Sequence, residues 1–99
     1  MSYEVRYTDD ARTDLLRFTE FLAERDPDAA RRALEALVRA VGFLEEFPFS
    51  CRKAEPGNPF LRELVVPFGG AGYVALFHID EAHVTIVALR HQREDDWFA

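Results

Sequence analysis

The chain is poor in cysteine and lysine: Cys51 and Lys53 are the single examples of each in 99 residues. One cysteine excludes an internal disulfide and a cysteine-based metal site. No stretch approaches the roughly 18 continuous apolar residues of a membrane span. No apolar run follows a basic patch near the start, so no signal peptide is expected, and a reduced, cytoplasmic setting is the simplest reading. Positive charge is also scarce. Twelve basic residues face 18 acidic ones, for a net charge of −6. Phosphate binding draws on a positive surface, so no strong direct contact with nucleic acid is expected. Eleven of the 12 basic residues are arginine, which suits planar, bidentate contacts with carboxylate or phosphate. Repeats, linkers and low-complexity tracts are missing too.

Apolar material is ample. Hydrophobic residues make up 48% of the chain and phenylalanine occurs nine times. Residues 1–99 read as one folded domain with a thin core, burying roughly 60–65% of the unfolded surface. Tyr3, Val5 and Tyr7 alternate with Glu4 and Arg6, the period of a strand. Thr8-Asp9-Asp10 supplies N-cap oxygens, and Ala11, Leu15, Phe18 and Leu22 recur at helical spacing to about Glu24. Asp26-Pro27 restarts a helix, because Asp caps and Pro suits the first turn. Its stripe is Ala30, Leu34, Leu37, Val41 and Leu44, and it stops at Phe47-Pro48. Ala30, Ala33 and Ala40 are small enough for close helix packing.

Phe49 to Pro59 reads as a surface loop, and Phe60–Val66, Tyr73–Ile79 and Val84–Leu89 as strands. Pro67 to Gly72 reads as a glycine-rich hairpin turn. It lacks the Lys-Ser/Thr of a phosphate loop, and no helix follows it. The tail residues Trp97 and Phe98 are expected to dock on the body. Taking the first strand as up, the helices as down and up, and the remaining strands as down, up and down, the last strand runs antiparallel to the first. The expected fold is α+β and two-layered. An N-terminal strand and a helical hairpin precede a three-stranded antiparallel meander, giving a four-stranded antiparallel sheet with the hairpin on one face.

Six short signals stand in fixed order: Ala11…Asp14-Leu15, Pro27…Ala30, Leu44…Phe47-Pro48, Leu61-Arg62-Glu63-Leu64, Gly72-Tyr73-Val74 and His91-Gln92-Arg93. As a set, from about Val5 to Arg93, the chain resembles the RelE/ParE superfamily of type II toxin–antitoxin toxins. The opening, the helix exit, the Leu61–Leu64 strand and the terminal His-Gln-Arg look closer to the ParE branch. The resemblance implies a toxin neutralised by a cognate antitoxin whose extended tail wraps it. ParE-like members poison DNA gyrase, whereas RelE-like members cut messenger RNA on the ribosome. A degenerate, non-toxic member kept as an antitoxin-binding module is a third possibility.

The candidate residues have two readings each. Arg62, in an apolar strand, is either a phosphate or carboxylate clamp, as the matching Arg serves in RelE-like nucleases, or a structural Arg paired with a carboxylate. Arg90, His91 and Arg93 close the last strand; alternation puts Arg90 on one face and His91 with Arg93 on the other. Histidine near neutrality suits acid–base work, and arginine stabilises developing phosphate charge. A nuclease using Arg62, Arg90, His91 and Arg93 is thus conceivable. The acidic run Glu94-Asp95-Asp96 and the net charge oppose it and favour structural or partner-contact roles. Tyr73 is either a base-stacking platform or a strand core residue. Arg52 and Lys53 are a solvated loop or a contact for an acidic antitoxin segment. The expected partner-binding set is Arg52, Lys53, Arg62, Tyr73 and Arg93, on the open sheet face and the groove beside the hairpin. His78 and His83 have no partner at ligand spacing, so neither metal nor cofactor is expected.

Overall fold

The computed structural model describes residues 2–68 and 71–91. The elements are β1 (Glu4–Tyr7), α1 (Asp9–Arg25), α2 (Pro27–Glu46), a 3-10 turn (Pro48–Ser50), β2 (Arg52–Lys53), β3 (Leu61–Phe68), β4 (Ala71–Ile79) and β5 (His83–His91). Caps explain the helix bounds. Thr8 Oγ1 accepts the Ala11 N–H at 3.1 Å to open α1. The Asp26 carboxylate accepts the N–H groups of Asp28 and Ala29 to open α2, while its own N–H closes α1 on the Leu22 carbonyl. One residue therefore ends one helix and starts the next.

Among the described residues the sheet has five strands, in the order β1-β5-β4-β3-β2. β3, β4 and β5 form the expected antiparallel meander. Two expectations need correction. β1 pairs with β5 in parallel, from Glu4 opposite His83 to Tyr7 opposite Ile86, so the sheet is mixed. The cause lies at the β1–α1 junction. Only Thr8 separates them, and α1 does not turn back. Thr8 Oγ1 donates to the Val87 carbonyl, Asp14 accepts from Leu89, and Phe18 stacks on Tyr73, which pairs with His91. The helix thus advances along β5 in the direction of β1, and α2 returns, its Glu45 carbonyl accepting the Tyr3 N–H at 2.8 Å.

The second correction is the extra strand. Inside the presumed loop, Arg52 and Lys53 pair with Glu63 and Arg62. The segment from Ala54 to Phe60 then turns back, using Gly57 at φ 84°, a left-handed conformation that glycine adopts without penalty. Pro67, Phe68, Ala71 and Gly72 belong to strands rather than to the hairpin turn. Gly69 and Gly70 of that turn, and the tail with Trp97 and Phe98, lie outside the described residues.

The helices cover one sheet face. The core joins Ala11 and Leu44 to Ala75, Phe77, Ile79, Val84, Ile86 and Leu89. On α2 the buried positions are Ala30, Ala33, Ala36 and Leu44; Leu34 of the expected stripe is 44% exposed. Small residues bring α2 close, as expected, but the apolar band is rotated toward Ala36. A bulge in β5 sets the rest. Leu76 pairs with Ala88 and Phe77 with Ile86, leaving Val87 as the extra residue. It lets Val84 and Ile86 before it, and Leu89 after it, all face the helices.

Candidate functional site

The bulge decides where the chain's terminal polar residues emerge. Past it, Leu89 and His91 face the helices and Arg90 faces the opposite side of the sheet, with Val74 and Leu76, which are buried. His91 meets Tyr73 edge-on at 5.9 Å, and Tyr73 stacks on Phe18 at 4.8 Å. Tyr73 is buried, and burial pushes its phenol above the usual value. It is part of a packed column rather than an exposed platform. On the other face Arg90 lies 3.9 Å from Glu63, both side chains largely buried. Glu63 also accepts from Arg52 Nε at 2.8 Å across the β2–β3 pair. Glu63 thus sits between two guanidinium groups from the two sides of its strand.

Arg62 is held by backbone carbonyls rather than by the carboxylate of the structural reading. Its Nε donates to the Pro59 carbonyl at 2.8 Å, and Nη1 donates to the carbonyls of Cys51 at 2.8 Å and Phe49 at 3.3 Å. The guanidinium also lies 5.4 Å from the centre of the Phe49 ring. The loop's own backbone acceptors therefore hold it, not a carboxylate, and it fixes the segment from Phe49 to Pro59. Arg62 pairs with Phe77, four residues along β4 from Tyr73, so it stands about 13 Å from the Tyr73–His91 end. Arg62, Arg90 and His91 do not converge. Arg93 lies outside the described residues. Arg52 and Lys53 are exposed on the edge strand β2. Among the described residues no three His, Cys, Asp or Glu side chains gather as metal ligands, and no helix is long and apolar enough to cross a membrane.

The groove beside the helical hairpin, expected as a partner surface, has lining residues that the sequence reading did not name. Among the described residues β2 covers only Arg62 and Glu63, so no described strand pairs with the outer edge of β3 from Leu64 to Phe68. Ala54 N–H donates to the Leu61 carbonyl at 3.0 Å, which fixes the alternation: Leu61, Glu63, Val65 and Pro67 direct their backbone groups outward. Among the described residues nothing pairs with the Val65 N–H and C=O. Pro67 has no N–H to offer, and it is tolerated in the strand because its nitrogen faces the open side. Between this edge and α2 runs an apolar groove of about 380 Å³, bounded by Ala36, Ala40, Phe43, Val65 and Pro67 with Arg39 beside them. Arg39 makes no ion pair or side-chain hydrogen bond among the described residues. The sequence signals were present in Pro67 within a strand and in Arg39 off the apolar stripe.

Comparison with known proteins agrees with this architecture. The sequence model of the family described as the ParE toxin of type II toxin–antitoxin system, parDE, matches residues 5–96. Two curated proteins of Caulobacter vibrioides are similar. Toxin RelE3 is 34% identical over 85 residues, covering 85% of this chain and 88% of the relative. Toxin RelE1 is 32% identical over 94 residues, covering 95% and 98%. Among solved structures, a chain of the chromosomal ParDE system from P. aeruginosa superposes with a TM-score of 0.70 at 18% identity, covering 91% and 96% of the two chains, and this likeness concerns the fold alone. A chain of the RelBE2 toxin–antitoxin complex from Mycobacterium tuberculosis gives a TM-score of 0.57 at 25% identity, covering 95% of each. The two-helix, mixed-sheet architecture and the match over residues 5–96 agree: this chain belongs to the ParE toxin family of type II toxin–antitoxin systems, within the RelE/ParE superfamily.

Proposed function

We propose that this toxin acts in the cytoplasm by inhibiting DNA gyrase, and that a cognate antitoxin silences it by occupying the groove between α2 and the open edge of β3. The observation that supports the first part is the scatter of Arg62, Arg90 and His91, the ribonuclease candidates among the described residues. Cleavage through a 2′-hydroxyl needs a base, an acid and a charge stabiliser around one phosphate. Arg62 is bound to loop carbonyls, and Arg90 and His91 leave β5 on opposite faces. A surface of net charge −6 also gives RNA little attraction.

The antitoxin reading rests on the chemistry of the groove. An extended segment can add to the sheet through Val65, set an apolar side chain between Ala36 and Phe43, and place a carboxylate on Arg39. Arg52 and Lys53 lie at the lower end of the same edge and extend the positive rim.

A second reading, a ribosome-dependent messenger RNA endoribonuclease, is favoured by the RelE names of the two Caulobacter relatives. Purified toxin should be assayed in parallel for inhibition of gyrase supercoiling and for cleavage of messenger RNA on programmed ribosomes. Gyrase inhibition without cleavage is the expected result. Ribosome-dependent cleavage that His91→Ala abolishes, with gyrase unaffected, sinks the gyrase reading.

A further inference from the structure

Among the described residues β1 is an edge strand, with β5 on its inner side, and the α2–β3 groove lies at the far edge of the sheet. The Glu4 N–H donates to the Ala82 carbonyl and the Thr8 N–H to the Ile86 carbonyl, each at 2.9 Å. A parallel ladder takes alternate residues, so Glu4, Arg6 and Thr8 bond inward to β5. Val5 and Tyr7 direct their backbone groups outward. So does Tyr3, whose N–H is taken by the Glu45 carbonyl at 2.8 Å. Among the described residues no other group bonds to this outer side.

This outer stretch is short and bounded. The end of α2 closes it at Tyr3, and α1 begins just after Thr8. Its middle residue is Val5. Tyr3, Val5 and Tyr7 pack toward the core, which places Glu4 and Arg6 together on the face of the sheet away from the helices. Their side chains are mostly in water, 77% exposed for Glu4 and 52% for Arg6. Contacts within the chain engage them loosely. Glu4 lies 4.0 Å from His83, while Arg6 donates through Nε to Thr85 Oγ1 at 3.0 Å, with Nη2 3.9 Å from Asp80.

We propose that two copies of this chain pair through β1, antiparallel about a two-fold axis at Val5, joining their sheets edge to edge. In that register Val5 exchanges both backbone hydrogen bonds with the partner's Val5, and each Tyr7 N–H reaches the partner's Tyr3 carbonyl. Glu4 stands directly opposite the partner's Arg6, and Arg6 opposite the partner's Glu4. These are the non-hydrogen-bonded positions, where facing side chains come closest. A shift of two residues sets Arg6 against Arg6 or Glu4 against Glu4. A shift of one sets outward backbone groups against inward ones. Charges on an edge strand commonly ward off an added strand. Here opposite charges two residues apart select one partner, the same strand reversed. The contact is isologous, so it closes at a dimer and leaves each α2–β3 groove at an outer edge.

Sedimentation velocity on the full chain, without antitoxin, tests this. The wild type is expected to pass from monomer to dimer, and no further, as its concentration rises. Glu4→Arg and Arg6→Glu each leave β1 with two like charges, and each is expected to weaken the dimer at least tenfold. An equimolar mixture of the two variants sets opposite charges face to face again and is expected to dimerise like the wild type. The double variant Glu4→Arg with Arg6→Glu, which keeps the wild-type net charge, is expected to do the same. Rescue in the mixture or in the double variant separates pairing between copies from damage to the fold. Three results overturn the proposal: a wild type that stays monomeric at every concentration, single variants that dimerise as tightly as the wild type, or a mixture and a double variant that both remain monomeric.

Discussion

The carboxylate of Asp14 in α1 accepts the backbone N–H of Leu89 in β5 at 3.1 Å, a contact between residues 75 apart in sequence. β1 stops opposite Ile86, and the bulge at Val87 follows. Beyond that point α1 replaces β1 as the neighbour of β5, with Thr8 satisfying the Val87 carbonyl and Asp14 the Leu89 amide. The same two contacts force α1 to climb alongside β5, which makes the β1–β5 pairing parallel.

Asp14→Ala should therefore destabilise the fold. It leaves a partly buried amide without its acceptor, a loss of about 1–3 kcal/mol. Asp14→Asn keeps an oxygen in place and should cost less than half of that. The Arg17 partner of Asp14 is mostly exposed, so Arg17→Ala should move stability by less than about 0.5 kcal/mol. Urea unfolding midpoints of the three variants check the ranking.

Arg62 makes a different prediction from a phosphate clamp. Its fork holds the carbonyls of Phe49, Cys51 and Pro59 together. Lysine carries the charge but not the fork geometry. Arg62→Lys should thus loosen the loop nearly as much as Arg62→Ala. Faster hydrogen exchange from Ala54 to Leu61, and faster reaction of the buried Cys51 thiol with a disulfide reagent, are the expected readouts. A lysine variant as protected as the wild type would show that charge, not the three-carbonyl grip, matters there.

Much of this could be read in advance, and the gaps have physical causes. The Asp26-Pro27 junction marks both helix ends through capping chemistry, which is local and therefore visible in sequence. The β-branched runs of β3 to β5 were equally plain. The direction of α1 was not, because a one-residue link permits either a return or a continuation, and the choice is made by Val87 and Leu89 far along the chain. β2 is only two residues, too short for a periodic signal. For Arg62 the sequence points to a phosphate or a carboxylate, because it shows side chains, whereas its acceptors in the structure are backbone carbonyls. Alternation separated Arg90 from His91, yet which of them faces the helices depends on a bulge that no residue type announces.

Burial also sets an alkaline limit. It raises the phenol of Tyr7 above its ordinary 10.0, and desolvation raises the Cys51 thiol above 9.0 despite the nearby Arg62 charge. Both groups are more easily ionised in the unfolded chain. Their contribution is complete below the unfolded values and is lost as pH rises through the folded ones. Thermal midpoints should hold near neutrality and fall from about pH 9 upward. Tyr7→Phe, which keeps the ring, should leave the neutral midpoint nearly unchanged and flatten the alkaline decline. An equally steep decline in that variant would assign the limit to other groups.

The open edge of β3 gives the sharpest test of the antitoxin groove. Val65 directs its N–H outward, while the neighbouring Leu64 and Val66 bond inward to β4. Val65→Pro removes the one N–H that an added strand would use and leaves the ladder to β4 intact, since edge positions accept proline. Arg39→Glu reverses the unpartnered charge beside the groove without touching the core. Each substitution should weaken antitoxin binding at least tenfold by calorimetry while the toxin keeps its thermal midpoint within a few degrees. Together they should approach the sum of the two effects, because one acts on backbone pairing and the other on charge. Full affinity in both variants would move the antitoxin to another face, and the β3 edge would then be an uncovered strand with no partner assigned.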